Sequence, residues 1–162
     1  IDARIKWPND IVCEGRKLVG MLLDAQASTG MDGVEWVVAG IGINVHQRID
    51  DFPEDVRGKA GSLDMLTGEK CVRARVVRAV MAEIERAAGL LISGRDDDMM
   101  REYAELSATL GKRVCVIASD KSYEADAIRL QSDGALVVRP DGGDEHPVYA
   151  GDVSVRGIMG YV

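Results

Sequence analysis

The hydrophobic periodicity of this chain changes twice, and that change limits the folds open to it more than any other feature. The first 45 residues read as β-structure, with apolar residues alternating at a period of two over Ile1 to Lys6 and short apolar runs broken by turn formers after it. Apolar residues then recur every three or four from Val72 to Leu91, and return to a period of two from Gly111 onward. A period of two belongs to strands and one of 3.6 to an amphipathic helix, so the chain reads as β-rich, then helical, then β-rich again. Strands are expected at 1–6, 11–13, 17–27 and 35–44. Pro8 and the Asn9-Asp10 pair break the chain after the first strand, Glu14-Gly15 after the second, and residues 28–33 (S-T-G-M-D-G) after the third. The strand at 35–44 is almost wholly apolar, which predicts a central position with both faces covered. Residues 46–70 read as a polar loop with a short helix near 53–57.

A long helix is expected from Val72 to Leu91, lying on the sheet and stopped by Gly94. A second helix runs to Leu106, with Asp96-Asp97-Asp98 capping and charge-complementing its start. The last third holds five short strands, at 113–118, 123–130, 135–139, 148–150 and 153–156, separated by S-D-K, S-D-G and D-G-G-D turns. Five strands in so short a stretch predict a small β-barrel. Domain limits of 1–110 and 111–162 follow.

Composition narrows the function. The 162 residues carry 20 Lys+Arg against 27 Asp+Glu, a net charge of −7, with 46% hydrophobic and 4% aromatic content. This is enough apolar material for a core, and the acidic balance argues against nucleic-acid binding by this segment. Cys13, Cys71 and Cys115 form no C-x-x-C pair, and His46 and His146 are the only histidines. No zinc-ligand pattern results, no metal ligand is assigned, and the cysteine usage fits a reducing cytoplasm. No apolar run reaches the roughly 20 residues of a membrane span, so no membrane partner is expected.

The stretches that carry chemistry are Lys6-Trp7-Pro8-Asn9-Asp10, then Lys17-Leu18-Val19-Gly20, then Gly40-Ile41-Gly42-Ile43-Asn44. Two lysines and a carboxylate fall at strand ends and turns, beside an apolar strand interrupted by two glycines. Glycine weakens a strand, so two of them suggest that a ligand or another backbone comes close. Plainer readings exist for each: Lys17 as a solvated hairpin lysine, Asp10 as the closure of its own turn, Trp7 as a packing wedge for the sheet. G-I-G-I-N is not the dinucleotide fingerprint, since the third glycine and the following helix are missing.

Taken together and in this order, the three stretches resemble the catalytic domain of biotin protein ligases, whose pattern runs K-W-P-N-D, then K-L-x-G, then G-x-G-x-N. The resemblance implies an α+β fold, a mixed or antiparallel sheet covered by helices as half of a class II synthetase-like domain, followed by an SH3-like barrel. It also implies a reaction in two steps. Biotin and ATP with Mg2+ form biotinyl-5′-adenylate, and the acyl group then passes to a lysine of the biotin carrier domain of a biotin-dependent carboxylase. Lys17 is expected between the biotin carboxylate and the α-phosphate, Lys6 on the phosphates, and Asp10 beside the acceptor amine. Gly40 and Gly42 would border the biotin rings, Gly20 would offer its backbone to the ureido ring, and Asn9, Asn44 and Arg156 would complete the substrate and ATP contacts. Simple alternation sets Lys17 and Gly20 on opposite faces, which leaves either a bulge or a backbone-only role for Gly20.

The family's G-R-G-R-x-G-R loop lies upstream of K-W-P-N-D, and this chain starts at Ile1, five residues before the motif lysine. The expectation is an N-terminally truncated ligase whose isolated chain forms little adenylate. An exposed sheet edge would then be covered by a homodimer or by a separate N-terminal half. The alternatives are a non-catalytic module that binds biotin or the carrier domain, and one half of a split ligase.

Overall fold

A computed structural model describes residues 1–27, 33–119, 121–150 and 154–157. The turn at 28–33 therefore lies, except for Gly33, outside the described residues, as do Asp120, Val153 and residues 158–162. Two antiparallel sheets organise the chain. The first joins β1 (Arg4–Lys6), β2 (Asp10–Cys13), β3 (Arg16–Ala27) and β4 (Val34–Ile43) in sequence order. Its turns are the ones the sequence marks: Trp7 to Asn9 between β1 and β2, and Glu14-Gly15 between β2 and β3, both residues at positive φ (50° and 72°). Such a pair twists a two-residue hairpin in the sense of its strands.

β4 departs from expectation. It pairs with β3 and ends the sheet order, and Val34, Trp36, Val37 and Val38 are exposed. An apolar run reports that a strand suits burial on both faces, not that this chain supplies the cover.

Between the sheets lie a 3-10 turn (Ile49–Asp51) and three helices, α1 (Leu63–Thr67), α2 (Arg73–Ile92) and α3 (Asp96–Glu105). The helix expected near 53–57 is instead a succession of turns, with Val56 N donating to Pro53 O and Lys59 N to Val56 O. Helix forms a few residues later, where Ser62, fully buried, caps α1 by accepting from Met65 N. α2 keeps its expected limits, but its main packing partner is α3, to which Arg86 reaches in a two-pronged contact with Glu102 at 2.7 and 3.1 Å. Val77, Met81, Ile84 and Leu91 remain exposed, so α2 does not cover the sheet in the way its periodicity suggested. Asp96 to Asp98 occupy the first turn of α3, where they complement its dipole. Arg95, not an aspartate, is the N-cap, and Asp98 pairs with Arg95 and Arg101.

The second sheet holds β5 (Arg113–Ile117), β6 (Ser122–Leu130), β7 (Leu136–Pro140), β8 (His146–Val148) and β9 (Ser154–Gly157) in the order β8-β7-β6-β5-β9. Its inward side chains, Val114, Val116, Ala125, Ala127, Leu136, Val138, Val148 and Val155, make the main core of the described chain. Trp7 belongs to that core, at 2% exposure. Its indole N–H donates to Gly134 O at 3.0 Å and its backbone N–H to Thr109 Oγ1 at 3.0 Å. Trp7 is therefore a packing residue, as expected, but it wedges the second sheet and not the first. Ile5 extends the link, pairing in parallel with Ser107. Lys6, one residue from each, is thereby held by both halves of the chain.

Candidate active site

The geometry of the site begins with an irregularity in β3. Asp10 pairs with Gly20 and Ile11 with Val19, but Val12 pairs with Lys17, which leaves Leu18 as an extra residue. This is a β-bulge, and the Leu18 side chain, 1% exposed, anchors it. The bulge reverses the alternation between Lys17 and Gly20 and brings them to one side of the sheet. A Cβ on Gly20 would lie 3.0 Å from both Cε and Nζ of Lys17, and 3.6 Å from Oδ1 of Asp10. Of the two readings left open by the sequence, the bulge is the one adopted. Gly20 also acquires a role, because its missing side chain is the space that Lys17 crosses.

Asp10, itself buried, holds two ammonium groups. Its Oδ1 is 2.5 Å from Lys17 Nζ and its Oδ2 is 3.9 Å from Lys6 Nζ. Burial lowers the pKa of Lys6 most, the charges of Lys17 and Arg156 lower it further, and Asp10 opposes them. Two ammonium groups thus share one carboxylate, with the charge of Arg156 also felt at Lys6, an excess of positive charge suited to anions.

Asn9, Asp10, Lys17, Gly20, Gly40 and Gly42 line one open cleft of about 560 Å3, together with Met21, Leu22 and Ile41. Six residues singled out from three separate stretches of sequence therefore converge. At Gly40 and Gly42 a Cβ would meet only the carbonyls of Leu22 and Gly20, each at an ordinary 3.7 Å. Packing among the described residues does not demand glycine there, and both glycines line the cleft. Asn9 faces the cleft with its side chain engaged, since its Nδ2 donates to Met21 O at 2.5 Å and its carbonyl accepts from Met21 N.

The other three predicted residues lie off the cleft wall. Lys6 borders a small neighbouring cavity with Thr109, Lys112 and Val155. Asn44 is tied to the bulge, its N–H donating to Leu18 O at 2.9 Å and its Nδ2 directed at Lys17 O at 3.5 Å. Arg156 is exposed on β9, opposite Cys115, close enough for its charge to act on Lys6. Sequence reasoning missed Met21, Leu22 and Ile41 as cleft walls, although they stand next to the marked glycines. It also missed the cluster beyond β4, where Asp64 accepts from Cys71 N at 2.7 Å and contacts His46 Nδ1 at 2.8 Å. These contacts lower the pKa of Asp64, the Cys71 N–H first and His46 second. Among the described residues no group of three or more His, Cys, Asp or Glu side chains could hold a metal ion, and no helix is long and apolar enough to cross a membrane.

Comparison with known proteins finds similarity in both halves of the chain. Residues 1–44 match the Biotin/lipoate A/B protein ligase family, and residues 109–156 match the Biotin protein ligase C terminal domain. The chain is 30% identical over 155 residues to the bifunctional ligase/repressor BirA of Bacillus spizizenii, covering 96% of this chain and 47% of that protein. It is 30% identical over 149 residues to the biotin--[acetyl-CoA-carboxylase] ligase of Mycobacterium tuberculosis, covering 92% and 52%. The chain thus spans about half the length of these relatives. In fold it is similar to the biotin protein ligase of Aquifex aeolicus, whose apo structure superposes with a TM-score of 0.79 at 23% identity over 96% of this chain and 65% of that one. The same enzyme in complex with biotin and ATP gives 0.78 at 24% identity, over 96% and 62%. With its three motifs gathered on one cleft, its two halves matching the family in order, and its fold shared, the chain belongs to the biotin protein ligase family.

Proposed function

We propose that this chain carries the lysine-bearing part of a biotin ligase site, one that joins biotin to ATP and passes the activated acyl group to a lysine of a biotin carrier domain. We read residues 1–110 as the C-terminal portion of the catalytic domain, half of a class II synthetase-like unit, and 111–162 as an SH3-like barrel. The observation that carries the reading is the position of Lys17, set by a bulge beside Gly20, on a cleft walled by Gly40 and Gly42.

In the first step a biotin carboxylate oxygen attacks the α-phosphorus of ATP, and the bond to pyrophosphate breaks. Two anions must meet, so the chief cost is electrostatic repulsion, which positioned cations reduce in a site shielded from water. In this reading Lys17 lies between the carboxylate and the α-phosphate, and Lys6 and Arg156, whose charges act on one another, add positive potential. The bare strand at Gly40 and Gly42 admits a flat bicyclic ring against the backbone. In the second step the acceptor amine attacks the acyl carbon and AMP leaves. That amine is protonated at neutral pH when free. Asp10 is placed to orient it and take its proton once Lys17 has turned to the phosphate. Mg2+ would add charge neutralisation on the phosphates. Among the described residues no donor set forms a cage for it, since Asp10 is engaged by two ammonium groups.

Titration of the chain with biotinyl-5′-adenylate tests the proposal. Saturable binding that weakens in Lys17→Ala is expected. Equal affinity in the two proteins refutes the assigned role of Lys17.

A further inference from the structure

The pairing of β3 with β4 stops at Val19, so the amide groups that Lys17 turns to that edge must find partners elsewhere. At Lys17 they find them in the loop before α1. The N–H of Lys17 donates to Lys59 O at 2.7 Å, and Lys17 O accepts from Gly61 N at 3.0 Å, a short parallel bridge with Ala60 at its centre. That loop is itself held firmly. Ser62 is fully buried, donates through its hydroxyl to Gln47 O at 2.7 Å and caps α1, while Leu63 N donates to Asn44 O. Gly61 is confined as well: a Cβ there would lie 3.2 Å from Cβ and 3.4 Å from Cδ of Arg16, and 3.6 Å from Cδ1 of Leu66.

We infer that residues 59–62 are the positioning element for Lys17, locking the backbone of the bulge from outside the sheet so that the ammonium is aimed across Gly20 at Asp10. This deepens the proposed function and rests on it for the purpose of that aim. No direct contact of residues 59–62 with substrate is required. The segment acts through the main chain of Lys17, and Gly61 is glycine because any larger residue presses on Arg16, the neighbour of Lys17.

The test is competitive labelling of lysines in the intact chain with an acetylating N-hydroxysuccinimide ester, read by peptide mass spectrometry, in the native protein and in Gly61→Val. Lys121, exposed, is the reference, and Lys6, buried in the native protein, reports the integrity of the fold. The expected result is a rise in Lys17 labelling of about two- to fivefold, the range that an ion pair of its exposure can hold back, with Lys6 unchanged. Gly61→Ala, which asks Arg16 to yield only a few tenths of an ångström, should fall between the two and decides the matter if Gly61→Val does not fold. Unchanged Lys17 labelling overturns the inference. A rise of Lys6 together with Lys17 overturns it too, since the segment would then support the whole sheet and not the aim of one side chain. The labelling needs neither biotin nor ATP, so its failure is distinct from a failure of the adenylate titration.

Discussion

Gly20→Ala separates the two things a residue at this position could do, hold the fold or leave room for Lys17. A methyl group at Gly20 would sit 3.0 Å from Lys17 Cε and Nζ. Optimal contact for such atoms is about 3.5–4.0 Å, so the end of the lysine must retreat by roughly 0.5–1 Å. It is the free end of a flexible side chain, and the retreat costs the fold little. The partly exposed ion pair with Asp10, now 2.5 Å, is worth at most about 1 kcal/mol. Replacing glycine with alanine returns about 0.4–1 kcal/mol by restricting the unfolded chain. Net stability should therefore change by less than about 1 kcal/mol, and the thermal midpoint by only a few degrees. Ligand recognition is more sensitive, because a hydrogen bond to a charged group is worth about 1.5–3 kcal/mol and depends on its geometry. Thermal melting and biotinyl-5′-adenylate titration on the same preparation form the assay. A near-native melt with affinity reduced about tenfold or more is expected. Unaltered affinity with an unaltered melt would show that Lys17 need not cross Gly20 to serve the ligand, and would refute the role assigned to the bulge.

Other consequences are as direct. Trp7→Ala removes the largest side chain of the main core along with its bond to Gly134, and should cost about 3–5 kcal/mol, measured by urea denaturation. A loss under about 1 kcal/mol would mean that the two halves do not depend on this wedge. Leu18→Ala empties the anchor of the bulge and should lower stability by about 2–5 kcal/mol in the same experiment. Asp64 has its folded pKa depressed by the Cys71 N–H and His46, so its contribution is present above the ordinary carboxylate pKa near 4 and is lost as pH falls through the lower folded value. Acid unfolding curves of Asp64→Asn should be flatter than native below about pH 4, and identical slopes there would contradict the contact.

The outline of the fold was legible because it rests on local periodicity. β2, β3, α2, α3 and the five strands of the second sheet lie within a few residues of where alternation and helical spacing put them, and the Glu14-Gly15 turn is a matter of local backbone preference. The candidate site was legible for a different reason. Lys17, Asp10, Gly20, Gly40 and Gly42 sit in short motifs whose order is itself a signature, so the residues could be named before their geometry was known. What sequence alone could not decide depends on who covers whom. The apolar run of β4 and the stripe of α2 announce a readiness for burial, yet β4 ends a sheet and α2 turns mainly to α3, since periodicity records a face and not its neighbour. The bulge at Leu18 is likewise invisible in alternation, because it exists only in the register between β2 and β3, next to the loop at 59–62 that bonds the Lys17 main chain. That register is what sets Lys17, Gly20 and Asp10 side by side. The residues of the site are a property of the sequence, and their meeting is a property of the tertiary structure.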